Sequence, residues 1–344
     1  ALRLDIDTAL RIESRQCAGL VVRPETKNLI TSNFFQSKQV SGGASRPKGK
    51  PKATIQMLGI IGTGMMGQGI AYVTAKVGIE VVLKDISMEA AEKGKVYSAK
   101  VSDKQIERGQ TTSAEKENLL NLITPTDQDD ALQGCDLVIE AVFENMALKN
   151  QITQANEGYL AEDGVWATNT STLPITQLAE ASIKPDNFIG IHFFSPVDRM
   201  RLVEIICGKK TSDATLAKAF DFVQQIKKTP IVVNDSLGFF TSRVFGVPLW
   251  EGAAMVAEGI HPARVENLGK AMGMPVGPLT SFDEISLRLI VEIHESQIEM
   301  GLKHPDDDPC PAGTQLARGL LKEHNRGGRQ YGGGFYEYSD GGKA

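Results

Sequence analysis

Four cysteines in 344 residues, Cys17, Cys135, Cys207 and Cys310, make no C-x-x-C pair and no disulfide-framework spacing. That pattern argues against structural zinc and against a disulfide scaffold, and a reducing compartment such as the cytoplasm is the simpler setting. No apolar run approaches the roughly 20 residues that a membrane span needs, and no secretory leader is visible. An excess of charge is missing too. Lys and Arg number 37 against 42 Asp and Glu, a formal net charge of −5, so neither nucleic acid nor an anionic membrane is expected as a general partner. There are no internal repeats. What remains is a composition 41% apolar, ordinary for a globular protein, with length for two domains and a linker.

The most informative stretch is 58–85, LGIIGTGMMGQGIAYVTAKVGIEVVLKD. A β-branched apolar run at 55–61 reads as a buried parallel strand. Gly62, Gly64 and Gly67 follow in the pattern G-T-G-M-M-G, and then Ile70, Val73, Thr74 and Val77 recur at helical spacing. A second apolar strand at 79–83 ends at Asp85. Strand, glycine turn, helix, strand and acid in that order form the dinucleotide-binding fingerprint. Gly62 allows the tight turn, Gly64 lets backbone approach a pyrophosphate, and Gly67 lets helix and strand pack closely. The pyrophosphate is expected at the helix N-terminus. Asp85 is placed to accept from an adenosine ribose and would repel a 2′-phosphate, which favours NAD over NADP. The bland alternative is a glycine-rich strand–helix turn without a ligand.

Along the chain, 1–22 reads as an amphipathic helix with Ile6, Ala9, Leu10, Cys17, Leu20 and Val21 near one face. Pro24 opens a second helix through Phe34. The stretch 41–54, SGGASRPKGKPKAT, reads as an exposed, flexible linker whose basic residues either stay solvated or meet an acidic surface. Two helices are expected between 88 and 122, joined around 108–113. Strands follow at 137–142, 165–168, 187–194, 202–207 and 230–233, with helices from 146, at 175–181 and at 214–227. This alternation predicts an α/β, Rossmann-type domain over 55–236, a largely parallel sheet with helices on both faces. From 237 helical patterns dominate, so an all-helical C-terminal domain is expected over 237–344. Its tail, 327–338, reads as an apolar plug, FYEY, on a glycine-rich, flexible approach.

Three constellations could carry chemistry. His192 ends one strand and Glu204 lies in the next. The pair suits a neutral imidazole acting as base for an alcohol that loses hydride, or else a core histidine with a structural acid partner. Asn169-Thr170-Ser171 follows the 165–168 strand at a carboxyl end of the sheet, where open α/β folds bind ligands. Ser171 can hydrogen-bond a substrate oxygen or cap the next helix. Glu144 and Lys149 flank a helix start and could hold a ribose or be surface charges.

The glycine loop, EAVFEN (140–145), NTSTLPI (169–175), HFFSPV with the later RLVE, NDSLGFFTSR (234–243) and MPVGP (274–278) together resemble the L-3-hydroxyacyl-CoA dehydrogenases. Residues 1–54 resemble the linking helix that precedes this module in multifunctional fatty-acid β-oxidation proteins of the alpha-subunit type. The chain therefore reads as linker plus dehydrogenase, with the enoyl-CoA hydratase part absent. The resemblance implies NAD as cofactor and an acyl-CoA as substrate. It makes His192 the catalytic base, Glu204 its partner and Ser171 a ligand of the substrate oxygen, with Ser242 at a position that normally helps hold that oxygen. Gly62, Gly64, Met66, Gly67, Asp85, Val142, Glu144, Lys149, Asn169 and Ser195 fall on cofactor positions, and no metal is implied. Two departures stand out: Ser195 and Ser242 replace asparagines usual in the family. The resemblance further implies either a homodimer through the helical domain or packing against the hydratase part and a second helical domain of a longer chain. The alternatives are a non-catalytic NAD-binding or scaffold module and a β-hydroxyacid dehydrogenase, whose lysine base 169–175 and 234–243 do not convincingly supply.

Overall fold

The computed structural model describes residues 3–299 and 301–338. Parts of three expectations, the start of the first helix, residue 300 of the helical region and the last residues of the C-terminal domain, lie outside the described residues. The chain divides into two compact units, Ala1–Asp235 and Ser236–Ala344.

In the first unit one eight-stranded sheet carries the architecture. Its strands are β1 (Met57–Ile61), β2 (Glu80–Lys84), β3 (Ile123–Thr126), β4 (Leu137–Glu140), β5 (Val165–Thr168), β6 (Phe188–Phe193), β7 (Leu202–Cys207) and β8 (Thr229–Asn234), in the spatial order β3-β2-β1-β4-β5-β6-β7-β8. Every pairing is parallel except β6 with β7. This is the largely parallel Rossmann-type sheet that the alternation of elements predicts. The β4 and β6 backbones are buried along their whole length, so their apolar runs are continuous rather than alternating, as expected for strands covered on both faces. Ile60, Ile70, Leu83, Ile139, Ile191, Phe220 and Phe222 belong to a single core that joins sheet and helices.

β3 is a strand that the sequence reading did not expect. Pro125 lacks a ladder donor and lowers the local strand signal. It is tolerated because β3 pairs only with β2 and lies at the sheet edge. The flanking helices, Met88–Glu107 and Ser113–Asn121, fall where two helices were expected.

At the N-terminus the helix Ile6–Val21 is capped by Asp5, whose side chain accepts from the Thr8 N–H. The helix Pro24–Ile30 runs on through a π-turn, Thr31–Gln36, into Ser37–Ser41. The first helix buries none of its residues. The 41–54 stretch is mostly exposed, but it is tied down, at Ser41, whose carbonyl accepts from the Gln224 amide at 2.8 Å, and around Arg46. The Arg46 guanidinium donates to both oxygens of Asp221 at 2.7 and 2.8 Å and to the carbonyls of Pro47, Lys50 and Pro51. Asp221 also accepts from the Ala53 N–H at 2.8 Å. Of the two fates open to the basic residues there, Arg46 takes the acidic one.

The second unit contains the helices Thr241–Ala257, Pro262–Ala271, Pro278–Ile285, Leu287–Glu299 and Pro311–Lys322. Leu249, Ala253, Phe282, Leu287, Val291 and Ala317 form its core, and Phe335 of the tail packs against them. The tail is a plug, but its approach is pinned. Buried Asp283 accepts from the N–H groups of Phe335 and Tyr336 and from the Tyr338 hydroxyl, at 2.8 to 3.0 Å.

The side chain of Asp221 is 1% exposed and that of Arg46 18%, so removing the arginine strands a buried carboxylate. Arg46→Ala should lower stability by about 3 kcal/mol, read as a fall in the urea midpoint. It should also speed tryptic cleavage at Lys48 and Lys52; unchanged cleavage would show that the segment is held by something else.

Candidate active site

The carboxyl ends of β1, β2, β4, β5 and β6 bring together most of the residues singled out from the sequence. At β1 the chain turns through Gly62, whose φ of +96° suits glycine. A Cβ on Gly67 would lie 1.8 Å from the Gly62 carbonyl oxygen, so the helix Met65–Ala75 can start this close to the strand only with glycine there. Gly64 is the N-cap of that helix and supplies no side-chain cap. The first intrahelical backbone bond at this end is from Gln68 N–H to the Gly64 carbonyl, so the N–H groups of Met65, Met66 and Gly67 have no partner within the helix. A Cβ on Gly64 would meet nothing within 4 Å. Orphan donors at a dipole's positive end, beside a glycine with no side chain in the way, are what a pyrophosphate requires, and the residues present fit a dinucleotide.

Asp85 follows β2. One carboxylate oxygen accepts from the Thr63 N–H and hydroxyl at 2.7 and 2.5 Å, the other from the Ile86 N–H at 2.7 Å. Partial burial pushes its carboxyl up, but the bonds from Thr63 and Ile86 and the nearby Lys84 outweigh this and hold it below the usual range. About four lone-pair sites are present on a carboxylate, so capacity for a ribose hydroxyl remains.

Lys149 is not a surface charge. Its side chain is 1% exposed, and its ammonium pairs with Glu140 at 2.8 Å and lies 3.5 Å from Glu144. Glu140, which the sequence reading passed over inside the apolar run DLVIEAV, is fully buried and accepts also from the Val142 N–H and the Thr168 hydroxyl. An acid interrupting a buried strand was the available signal. Glu144 in turn gathers the loop after β5: it accepts from the Thr170 hydroxyl at 2.6 Å, the Ser171 N–H at 2.9 Å and the Thr172 N–H and hydroxyl at 3.1 Å. The loop that carries Ser171 is thereby clamped to the loop after β4. Asn169 reaches the other way, its Oδ1 accepting from the Phe193 N–H at 2.9 Å.

His192 and Glu204 are direct cross-strand partners of β6 and β7. Nδ1 lies 2.7 Å from Glu204 Oε2. Glu204 is fully buried and His192 is 7% exposed. The carboxylate fixes the Nδ1–H tautomer and leaves the ring's acceptor lone pair on Nε2. Phe194 packs on the imidazole with ring centroids 4.4 Å apart. Ser195 is exposed, precedes a cis Pro196 and donates to Met65 Sδ at 3.4 Å. Ser242 belongs to the second unit, near the start of the helix Thr241–Ala257, and is exposed.

A dinucleotide cradle and a buried imidazole–carboxylate pair on neighbouring strands of one sheet belong together in nucleotide-dependent oxidoreductases. Comparison with known proteins narrows that class. Residues 57–236 match the model of the 3-hydroxyacyl-CoA dehydrogenase NAD-binding domain, and residues 238–338 match that of the 3-hydroxyacyl-CoA dehydrogenase C-terminal domain. The chain belongs to the 3-hydroxyacyl-CoA dehydrogenase family. It is 38% identical over 336 residues to the fatty acid oxidation complex subunit alpha of Shewanella baltica, a match covering 96% of this chain and 46% of that protein. The chain thus spans about half the length of the curated relatives it matches. Among solved structures it is similar to the (S)-3-hydroxybutyryl-CoA dehydrogenase of Ralstonia eutropha, with 36% identity, a TM-score of 0.78, and coverage of 83% of this chain and all of that one. It is also similar to a 3-hydroxybutyryl-CoA dehydrogenase of Escherichia coli, with 27% identity, a TM-score of 0.74, and coverage of 83% and 60%.

The clamp on the Ser171 loop has a pH signature. Burial raises the Glu144 carboxyl, but Lys149 and the bonds from Thr170, Ser171 and Thr172 more than offset this and hold it below its ordinary 4.5. A lowered folded value contributes stability that is complete above the ordinary value and is lost as pH falls through the folded one. Hydrogen-exchange protection of the Ser171 and Thr172 amides should therefore persist at pH 4.5 and collapse only below it. In Glu144→Ala it should be weak at every pH; equal protection in the variant would show that the clamp is elsewhere.

Proposed function

We propose that this chain catalyses (S)-3-hydroxyacyl-CoA + NAD⁺ → 3-ketoacyl-CoA + NADH + H⁺, the second oxidation of fatty-acid β-oxidation, as the dehydrogenase module of a longer multifunctional protein. The observation that carries the reading is the buried His192–Glu204 pair, 2.7 Å apart, on the sheet whose first turn forms the dinucleotide cradle.

NAD, when bound, supplies the hydride acceptor. The chain's own residues do the rest. His192 Nε2 takes the hydroxyl proton as the C3–H bond breaks. Glu204 holds Nδ1–H and stabilises the imidazolium that results, in a site where burial strengthens the interaction. Ser171, fixed by Glu144, orients the substrate oxygen. Gly62, Gly64, Met66 and Gly67 present backbone to the pyrophosphate, Asp85 takes the adenosine ribose, and Val142, Glu144, Asn169 and Ser195 line the nicotinamide end. Lys149 acts there through Glu140 and Glu144. The functional division is 1–54 linking segment, 55–236 cofactor domain and 237–344 helical domain. The helical domain serves substrate binding and pairs with a second copy or with the rest of a longer chain. The cytoplasm is the expected site of action.

Oxidation of NADH by acetoacetyl-CoA, followed at 340 nm, tests the reading directly. Turnover is expected; its absence with NAD still bound would leave a cofactor-binding module without catalysis. His192→Gln should lower turnover by about 10²–10⁴-fold with NAD affinity nearly unchanged, and a variant of wild-type rate would remove the histidine from the mechanism. A paired titration should also show NAD bound more tightly than NADP, because Asp85 is followed by Ile86, Ser87 and Met88 with no arginine; equal affinity would mean that Asp85 does not face the ribose.

A further inference from the structure

Glu140 ends β4. Its carboxylate is fully buried and receives donors alone: the Val142 N–H at 2.7 Å, the Lys149 ammonium at 2.8 and 3.1 Å and the Thr168 hydroxyl at 2.8 Å. The same ammonium lies 3.5 Å from Glu144 Oε2. Two carboxylates therefore share one cation, and the triad carries one negative charge in excess. Stability alone is a weak reason to bury such a group, since a buried ion pair gains little over apolar packing of the same volume.

The triad's place in the sheet suggests another reason. Strand order reverses at β1, which has β2 on one side and β4 on the other, and open α/β sheets bind ligands in that crevice. Glu140 ends the strand on one side of it. A Cβ on Gly62 would approach the Ala141 carbonyl oxygen to 2.8 Å and the Val142 nitrogen to 3.1 Å, so the glycine turn and the residues after Glu140 are in contact. NAD⁺ and NADH share adenine, riboses and pyrophosphate, and they differ by one positive charge on the nicotinamide. A fixed negative charge beside the crevice acts on that difference, whereas loop geometry acts on both forms alike.

We propose that the Glu140–Lys149–Glu144 triad, through its one excess negative charge, makes the crevice favour the oxidised form of the cofactor. The proposal rests on the reading that NAD binds at this turn. A unit charge acting over about 10 Å at an effective dielectric near 20 changes affinity by about tenfold.

The test is a pair of titrations on the full chain, NAD⁺ by calorimetry and NADH by its fluorescence. Glu140→Gln should raise the ratio Kd(NAD⁺)/Kd(NADH) by about tenfold. Glu144→Gln makes the same change of charge from a partly exposed position, and carries the test should the buried substitution not fold. Glu140→Gln combined with Lys149→Met restores one negative charge and should return the ratio to within about threefold of wild type. If the charge-neutralised variants weaken both forms equally, or neither, the proposal is overturned and the dehydrogenase reading stands. A wild-type chain that binds neither form overturns both.

Discussion

One cross-strand pair, His192 with Glu204, fixes the register of β6 against β7. β6 is buried at all six positions, so it lacks the apolar-in, polar-out alternation that sets register where one face meets water. The polar pair supplies what alternation cannot. A slip of one residue would move His192 and Glu204 to opposite faces and leave two buried polar groups unpaired, a cost well above that of rearranged aliphatic contacts. The neighbouring contacts lock the same alignment. Asn169 accepts from the Phe193 N–H across β5 and β6, and Lys228 donates to the carbonyls of Val197 and Met200 in the connection to β7, at 2.6 and 2.5 Å. The single antiparallel pairing is what allows so short a connection, because parallel neighbours need a crossover of a dozen residues or more.

How much of this was legible in advance depended on sequence distance. The glycine turn, its flanking strands and Asp85 are contiguous and each follows from local stereochemistry, so they could be read directly. His192 and Glu204 could be paired because both sit on strands separated by one short turn. The burial of Lys149 was not readable. Its helix is polar enough to suggest an exposed lysine, and the acid that buries it lies nine residues earlier on another element. Arg46 and Asp221 are 175 residues apart, and nothing local in SGGASRPKGKPKAT distinguishes its arginine from its lysines. β3 was hidden for the opposite reason: Pro125 weakened a signal that the sheet edge tolerates.

The carboxylates around the crevice show how one residue type takes several roles through its partners. Glu204 faces an imidazole and can balance its charge. Glu144 faces amides and hydroxyls and holds a loop. Asp85 ties a strand end to the glycine turn and retains capacity for one more donor. Glu140 faces a lysine in the dry interior. None of these roles is readable from the side chain; each is read from its donors.

The cations tell the complementary story. Lys84, at the end of β2, is committed to Asp129 at 2.7 Å, and Lys149 is committed to Glu140 and Glu144. The donors left at the glycine turn are backbone N–H groups at a helix start, and such groups attract an anion through partial charges and geometry rather than through a full ionic bond. Such a site recognises the bridging phosphates that every dinucleotide carries. Recognition of an additional terminal phosphate requires a full positive charge at the end of β2, and there the chain has Asp85, with the adjacent lysine already neutralised. On the proposed reading, cofactor choice follows from where the positive charge has been spent, as well as from the acid at the end of β2.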